Sequence, residues 1–109
     1  MPRLQDDFDP TEPGSIVNYT MGYDGNVPVG ATIVSAVWAL LVRYVAPGYD
    51  IDPAPVDRLV GDATIIGTNT VQRIEGLYAG NTYLVTSTAT LSDGEIVIIW
   101  CTLRCVAPA

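Results

Sequence analysis

Short stretches rich in Val, Ile and Thr alternate with clusters of Gly, Pro, Asn and Asp along this chain. Apolar residues at every second position are the pattern of a strand with one buried face, and turn-forming residues between such runs are typical of sandwiches and barrels. Residues with a high helix propensity are sparse. The pattern therefore predicts an all-β domain with strands near 15–19, 31–42, 63–66, 70–74, 82–91 and 95–103.

The first residues and the centre of the chain do not fit that pattern. Residues 1–13 are polar, acidic and proline-bearing, which predicts an extended N-terminal arm ahead of one domain at 14–109. Pro53 and Pro55 keep the segment around them out of any central strand. Residues 43–62 therefore have no predicted path. In contrast, Asp93-Gly94 between two apolar runs is a strong hairpin signal.

The stretch "LYAGNTY" places Leu77, Gly80 and Tyr83 three residues apart, ahead of a predicted strand. Fibronectin-type sandwiches often carry Leu-x-x-Gly-x-x-Tyr at the corner before their penultimate strand, where the Tyr hydroxyl binds nearby backbone. Trp38 in an early strand fits the same fold. The expected fold is an immunoglobulin-like or fibronectin-type β-sandwich with these four residues in its structural core. An ordinary strand Tyr beside a Gly turn remains the alternative.

Two of the predicted strands contain a run that is apolar at every position, at 36–42 and at 96–100. A strand of an isolated antiparallel sandwich should be polar on its outer face, so something has to cover the second face of these strands. Large exposed apolar patches mark interfaces, although the arm and the long loop could also supply the cover. The predicted interface residues are Asp6, Asp7, Phe8, Asp9, Ile99 and Trp100.

The charge balance excludes several functions. The net charge is −7, and the chain has neither Lys nor His. Binding to nucleic acid or to an acidic membrane is unexpected without a basic face. Catalytic Ser-His and Cys-His pairs, Schiff-base lysines and histidine-bound metals are impossible without those side chains. No cofactor is predicted. Cys101 and Cys105 are too few for a zinc site and are expected to be buried thiols.

One catalytic alternative remains open. A pair of carboxylates can hydrolyse a glycoside when the two groups face each other across a cleft, at about 5 to 9.5 Å. Asp50, Asp52 and Asp57 are the candidates, but all three lie in the proline-rich loop, where a solvated segment is the simpler interpretation. The first residues also lack the apolar core of a secretory signal, which predicts a cytoplasmically made protein. The overall expectation is a protein that is not an enzyme.

The chain from Asn18 onward resembles a family of small bacteriophage virion proteins, the Ig-like fibre–tail adaptor and tail-associated proteins. The matching stretches are "VNYTMGY", "VGATIVSAVW" with its Gly-x-Thr-Ile-x-x-x-x-Trp pattern, and "TNTVQRIEGLYAGNTYLVTSTATLSDG". Ala31 stands where the family typically has Asp, and the segment 47–62 has its own length. The resemblance implies a non-enzymatic structural protein of a virion, assembled in the bacterial cytoplasm. It also implies several copies in contact with other tail, fibre or connector proteins.

A different function is also compatible with an Ig-like domain. Tyr23, Tyr44 and Tyr49 could form a cluster of exposed aromatic rings at one end of the sandwich and bind carbohydrate on a host surface. An exposed cluster at one end would favour this alternative, and buried or scattered tyrosines would count against it.

Overall fold

The computed structural model describes residues 7–23 and 25–106, which form an all-β fold. Every predicted strand is present, although β2 and β3 are longer than predicted because each continues through a register irregularity. One 3₁₀ helix, Pro55–Arg58, precedes β3. The strands are β1 (Ile16–Gly22), β2 (Ile33–Val45), β3 (Leu59–Ile66), β4 (Asn69–Glu75), β5 (Asn81–Leu91) and β6 (Ile96–Arg104).

The strands form two three-stranded antiparallel sheets, in the orders β1-β4-β3 and β2-β5-β6. β5 and β6 are the predicted hairpin: Thr90 pairs with Ile96, and residues 92–95 form the turn between them. The Gln72 amide donates to the carbonyl oxygens of Val60 and Gly61, at the register break of β3. The two sheets pack face to face as a β-sandwich.

The core lies between the sheets and takes inward side chains from both. Tyr19, Met21 and Ile74 come from the first sheet, and Trp38 and Val85 come from the second. The alternation of buried and half-buried positions is strict along β5, where every second side chain is buried. The apolar alternation of the sequence therefore defines the inner face of each strand.

A buried polar chain also crosses this core. The indole Nε1 of Trp38 donates to Thr70 Oγ1 at 3.1 Å, and Thr70 Oγ1 lies 3.3 Å from Ser87 Oγ. The Tyr23 hydroxyl lies 2.6 Å from Ser87 Oγ and 2.7 Å from the Ser87 carbonyl oxygen. Because each of these groups would be costly to bury alone, the hydrogen bonds between them fix the relative position of the two sheets.

The N-terminal segment is part of the sandwich in its described portion. The Phe8 N–H donates to the Thr102 carbonyl, and Thr11 forms a parallel bridge with Cys105 beside β6. The Phe8 ring lies 4.6 Å from the Tyr19 ring and packs against the core. The predicted separate arm is therefore wrong for residues 7–11. Apolar Phe8 closes the gap beside β6, so this stretch belongs to the domain.

Candidate interaction surface

The outward side chains of the β2-β5-β6 sheet form four uncharged rows, closed at one end by a fifth row, Tyr44–Thr82–Arg104, and we call the surface of the four rows the outer face. Their outward direction follows from strand alternation with the buried residues Trp38, Leu40, Val85, Ile99 and Cys101. The strand register aligns them across the sheet as Ser35–Thr90–Ile96, Val37–Thr88–Ile98, Ala39–Thr86–Trp100 and Leu41–Leu84–Thr102.

None of these aligned positions carries a charge, and the outermost side chains are apolar. Val37 is 67% exposed, Leu41 49% and Ile96 63%. The two runs predicted as apolar on both faces are the source of this surface. Their inward residues build the core, and their outward residues remain exposed within the described part of the chain.

Charged residues of the strands and the turn stand at the two ends of the outer face with opposite signs, and the Asp7 carboxylate lies beside Thr102 near the basic end. At one end, a register shift in β2 places Arg43 with its guanidinium 5.6 Å from the centre of the Trp100 ring, and Arg104 is exposed at the end of β6. At the other end, Asp93 and Glu95 are exposed in the β5–β6 turn. The residues of the four rows are therefore uncharged, the Arg43 guanidinium reaches from the basic end to Trp100 in the third row, and Asp93 and Glu95 make the other end acidic.

The outer surface of the β1-β4-β3 sheet is different. Asn18, Arg73 and Val60 form one of its rows, and Arg73 makes a 3.2 Å ion pair with Glu75. On this sheet, polar and charged side chains stand among the exposed apolar residues Ile16, Val60 and Ile66, so no uncharged surface runs along it.

The predicted interface residues separate in the structure. Ile99 is fully buried, so its prediction as an interface residue is wrong: it faces the core from β6, whereas Trp100 next to it lies on the outer face. Phe8 packs against the core and is also removed from the interface. The Asp7 carboxylate accepts the Thr102 N–H at 2.9 Å, and Asp9 is exposed. Asp6 lies outside the described residues.

Tyr83, at the end of the β2-β5-β6 sheet that carries Arg104, is the centre of a hydrogen-bonded group that we call the corner network: Tyr83, Asp52, Arg58 and Asn81. The Tyr83 hydroxyl accepts the Tyr78 N–H at 3.0 Å and donates to Asp52 Oδ2 at 2.7 Å. Arg58 binds both carboxylate oxygens of Asp52, at 3.1 and 3.0 Å. Asn81 accepts the Asp52 N–H at 3.0 Å. This network attaches the proline-rich loop to the end of the sandwich.

The network shifts the ionisation of its members. Burial alone would raise the pKa of Asp52, but hydrogen bonds from Arg58, the Ala54 N–H and Tyr83, with the charge of Arg58, hold that pKa below its ordinary value. Burial and the nearby Asp52 carboxylate raise the pKa of Tyr83 well above its ordinary value. Both groups therefore stay in the protonation state that their hydrogen bonds require at neutral pH.

Leu77 is buried beside this corner, and Gly80 has a φ of 78°. A Cβ at Gly80 would overlap the ring of Tyr49. Gly80 is therefore needed twice, for its left-handed backbone and for the close approach of that ring. Trp38, Leu77 and Tyr83 all lie in the hydrophobic core.

The three tyrosines of the carbohydrate hypothesis do not form one exposed cluster. Tyr44 and Tyr49 are exposed and line one pocket of about 360 Å³ with Arg104. Tyr23 is fully buried in the polar chain of the core, so its prediction as a surface ligand is wrong.

The candidate acids of a hydrolase are not arranged as a facing pair. Asp50 and Asp57 are exposed on the loop, and Asp52 is buried against Arg58. Within residues 7–23 and 25–106, no group of three or more potential metal-binding side chains comes together. The same part of the chain has no helix long and apolar enough to cross a membrane.

Two features escaped the sequence reasoning. Ser87 reads as one more small polar residue in a Thr-rich strand, and nothing nearby marks it as the acceptor for Tyr23. The sequence does indicate the role of Asp52, because Asp-Pro-Ala is typical of a turn in which an Asp side-chain oxygen accepts the N–H two residues further along the chain. The Ala54 N–H does donate to Asp52 Oδ1, at 3.0 Å.

No protein-family model matches the chain, and no curated protein matches it.

Proposed function

We propose that this protein is a non-enzymatic structural component of a bacteriophage particle, an adaptor that joins or decorates the tail, the fibres or the head–tail region. The observation that carries the proposal is the uncharged, apolar outer face of the β2-β5-β6 sheet. The virion setting rests on the resemblance of the sequence, and the mode of action, assembly through protein–protein contacts, rests on this surface.

The chemistry of the outer face supports a protein partner. Cores of protein interfaces are depleted of charge and enriched in Trp, Tyr, Met and Arg. Trp100 and Arg43 stand together on the outer face, within a patch of Val, Leu, Ile and Thr. A surface of this kind gains free energy when a partner removes it from water.

We further propose that the sandwich is of the immunoglobulin-like type. In the constant-type immunoglobulin domain, one sheet contains strands B, E and D and the other contains C, F and G. The orders β1-β4-β3 and β2-β5-β6 correspond to these if β1 is strand B. The Tyr83 hydroxyl, bound to the Tyr78 N–H, also has the geometry of the tyrosine corner of that fold.

The test is incorporation into particles. A phage genome that carries this gene is deleted for it and complemented with the wild type, with Val37→Glu on the outer face, or with Val60→Glu on the other sheet. Purified particles are then analysed by quantitative mass spectrometry. We expect the wild type and Val60→Glu to be present in several copies per particle and Val37→Glu to be lost. Absence of the wild-type protein from particles would overturn the proposal.

A carbohydrate-binding module is the second candidate, and one observation favours it: Tyr44 and Tyr49 line a single pocket with Arg104. Exposed aromatic rings beside polar groups suit the apolar face and the hydroxyls of a sugar. Tyr44→Ala should abolish binding of host-surface glycan without unfolding the domain, because Tyr44 is 58% exposed. NMR titration of wild type and variant with purified host glycan decides this candidate, and an unchanged wild-type spectrum rejects it.

A further inference from the structure

We infer that the occupant of the outer face is a second copy of this chain, packed sheet on sheet with its strands running in the opposite direction. The inference rests on the proposed function only in that both use the outer face. It adds the identity of the partner and the orientation in which it binds.

The charges at the ends of the outer face are the first argument. Arg43 and Arg104 stand at one end, and Asp93 and Glu95 stand at the other. Consider a two-fold axis that lies in the plane between two facing sheets and runs perpendicular to their strands. Such an axis makes the strands of the second copy run opposite to those of the first. The basic end of each copy then lies over the acidic end of the other, so both ends are complementary at once. An axis parallel to the strands would instead place like charges together.

The row pattern is the second argument. With the axis over the row that contains Trp100, the reversed strands place Val37 opposite Leu41 of the second copy, and Trp100 opposite its own equivalent. On β6, Arg104 comes opposite Ile96 of the second copy, beside the carboxylate of Glu95. Val37 and Trp100 thus meet apolar side chains, and Arg104 lies over Ile96 and Glu95. Aligned sheets cross at about 30°, which shifts these pairs slightly and leaves the matching of the ends intact.

The other segments that the structure describes make their contacts away from the outer face. Residues 7–11 lie along the edge of β6 and against the core, where the Asp7 carboxylate accepts the Thr102 N–H. The proline-rich loop is held at the corner by Asp52. Among the arginines of the described residues, Arg58 and Arg73 pair with acids of their own chain. Arg43 and Arg104 are the cations that stand at the outer face.

The size of the surface predicts the strength of the dimer. Three strands about 4.8 Å apart and nine residues of about 3.4 Å each cover a flat area of about 400 Å². Stable interfaces bury roughly 800 Å² per partner, so the pair should be weak in solution, with a dissociation constant in the micromolar range or above. Several copies fixed close together on a particle would be held at a high effective concentration, which makes a weak contact sufficient there.

The first experiment is sedimentation velocity of the full chain from about 1 µM to 1 mM, a range set by the expected weakness of the interface. We expect a reversible monomer–dimer equilibrium. Val37→Glu should raise the dissociation constant about tenfold or more, because it places an unpaired carboxylate in an apolar contact. Val60→Glu makes the same change on the other sheet and should leave the constant unchanged. A wild type that stays monomeric throughout, or equal effects of the two variants, overturns the inference.

The orientation has its own test. Arg104→Glu should weaken the dimer, because it places like charges over Glu95 of the second copy. The double variant Arg104→Glu with Glu95→Arg exchanges the two signs and should restore the wild-type constant. Thermal melts establish that both variants are folded. If the double variant binds no better than the single one, the antiparallel arrangement is wrong.

This inference and the proposed function can fail separately. A wild type that is monomeric in solution, combined with loss of Val37→Glu from particles, would show that the outer face binds a different virion protein. If the wild type dimerises, Val37→Glu weakens the dimer and the protein is absent from particles, the dimer inference stands and the virion role is rejected.

Discussion

The corner network buries polar and charged groups, whereas the outer face exposes apolar ones. Asp52 and its partners bring charge and polar groups into a buried site, and every described buried side-chain nitrogen or oxygen atom has a hydrogen-bond partner. On the outer face, Val37 and Ile96 are exposed to water, although the stability of a monomeric domain does not require apolar side chains there. We therefore expect stability and the proposed association to depend on different residues. Changes at the corner should unfold the protein, and changes on the outer face should leave it folded.

The largest effect is expected at the corner itself. Asp52→Asn keeps the shape of the side chain and removes its charge, so Arg58 and Tyr83 lose their common acceptor. We expect the free energy of unfolding at pH 7 to fall by about 3 kcal/mol, since breaking a buried pair leaves the other charge uncompensated. Urea denaturation measures this, with the exposed Asp57→Asn as the matched control. A loss equal to that of the control would contradict the assignment.

Removal of the Tyr83 hydroxyl should have the next largest effect. Tyr83→Phe keeps the buried ring but leaves the Tyr78 N–H without its acceptor and Asp52 with one donor fewer. The expected loss is about 2 kcal/mol in the free energy of unfolding. Tyr44→Phe removes a hydroxyl from an exposed ring and should change stability by less than about 0.5 kcal/mol. If both variants lose the same amount, the corner does not contribute through this hydroxyl.

Acid should narrow the difference between the wild type and Asp52→Asn. Because the folded pKa of Asp52 lies below its unfolded value, the stability from its ionised form is complete above the unfolded pKa, near 3.9. That stability is lost as the pH falls from there through the folded pKa. Thermal melts of both proteins from pH 7 to pH 2 should show their midpoints converging at the acid end. A difference that stays constant with pH would show that the charge of Asp52 is not what stabilises the corner.

The smallest effect on folding is expected on the outer face. Val37→Glu replaces a side chain that is already 67% exposed, so the free energy of unfolding should change by less than about 1 kcal/mol. Val60→Glu should behave in the same way. Urea denaturation at low protein concentration keeps association out of the measurement. A large loss in Val37→Glu alone would mean that this position supports the fold, and the separation drawn above would not hold.

The sequence predicted the β-sandwich well because its signal is local. The alternation along β5 and the Asp93-Gly94 turn depend on neighbouring residues, and so does the spacing of Leu77, Gly80 and Tyr83. The direction of a side chain within an all-apolar run is not local. Ile99 and Trp100 differ by one position, and only the pairing of β6 with β5 decides which of them reaches the core.

Long-range partners explain the other errors. Phe8 sits in an acidic, proline-bearing stretch that looks like a solvated arm, yet its ring packs on Tyr19 and beside Trp38. Tyr23 follows a strand end next to a turn, where exposure is common, but its hydroxyl binds Ser87 across 64 positions of the sequence. Such contacts depend on the completed sandwich and leave no pattern in the residues nearby.

The two cysteines give the molecule a reporter of its own motions. Both are buried outside any disulfide, and they are the only thiols of the chain. Cys101 lies within β6, whereas Cys105 lies beyond it, at the bridge with Thr11. Burial also raises the pKa of the Cys105 thiol, which slows its reaction with alkylating reagents. The rate at which each thiol becomes labelled would therefore record two events separately, detachment of the N-terminal segment at Cys105 and opening of the sheet at Cys101, without adding a probe.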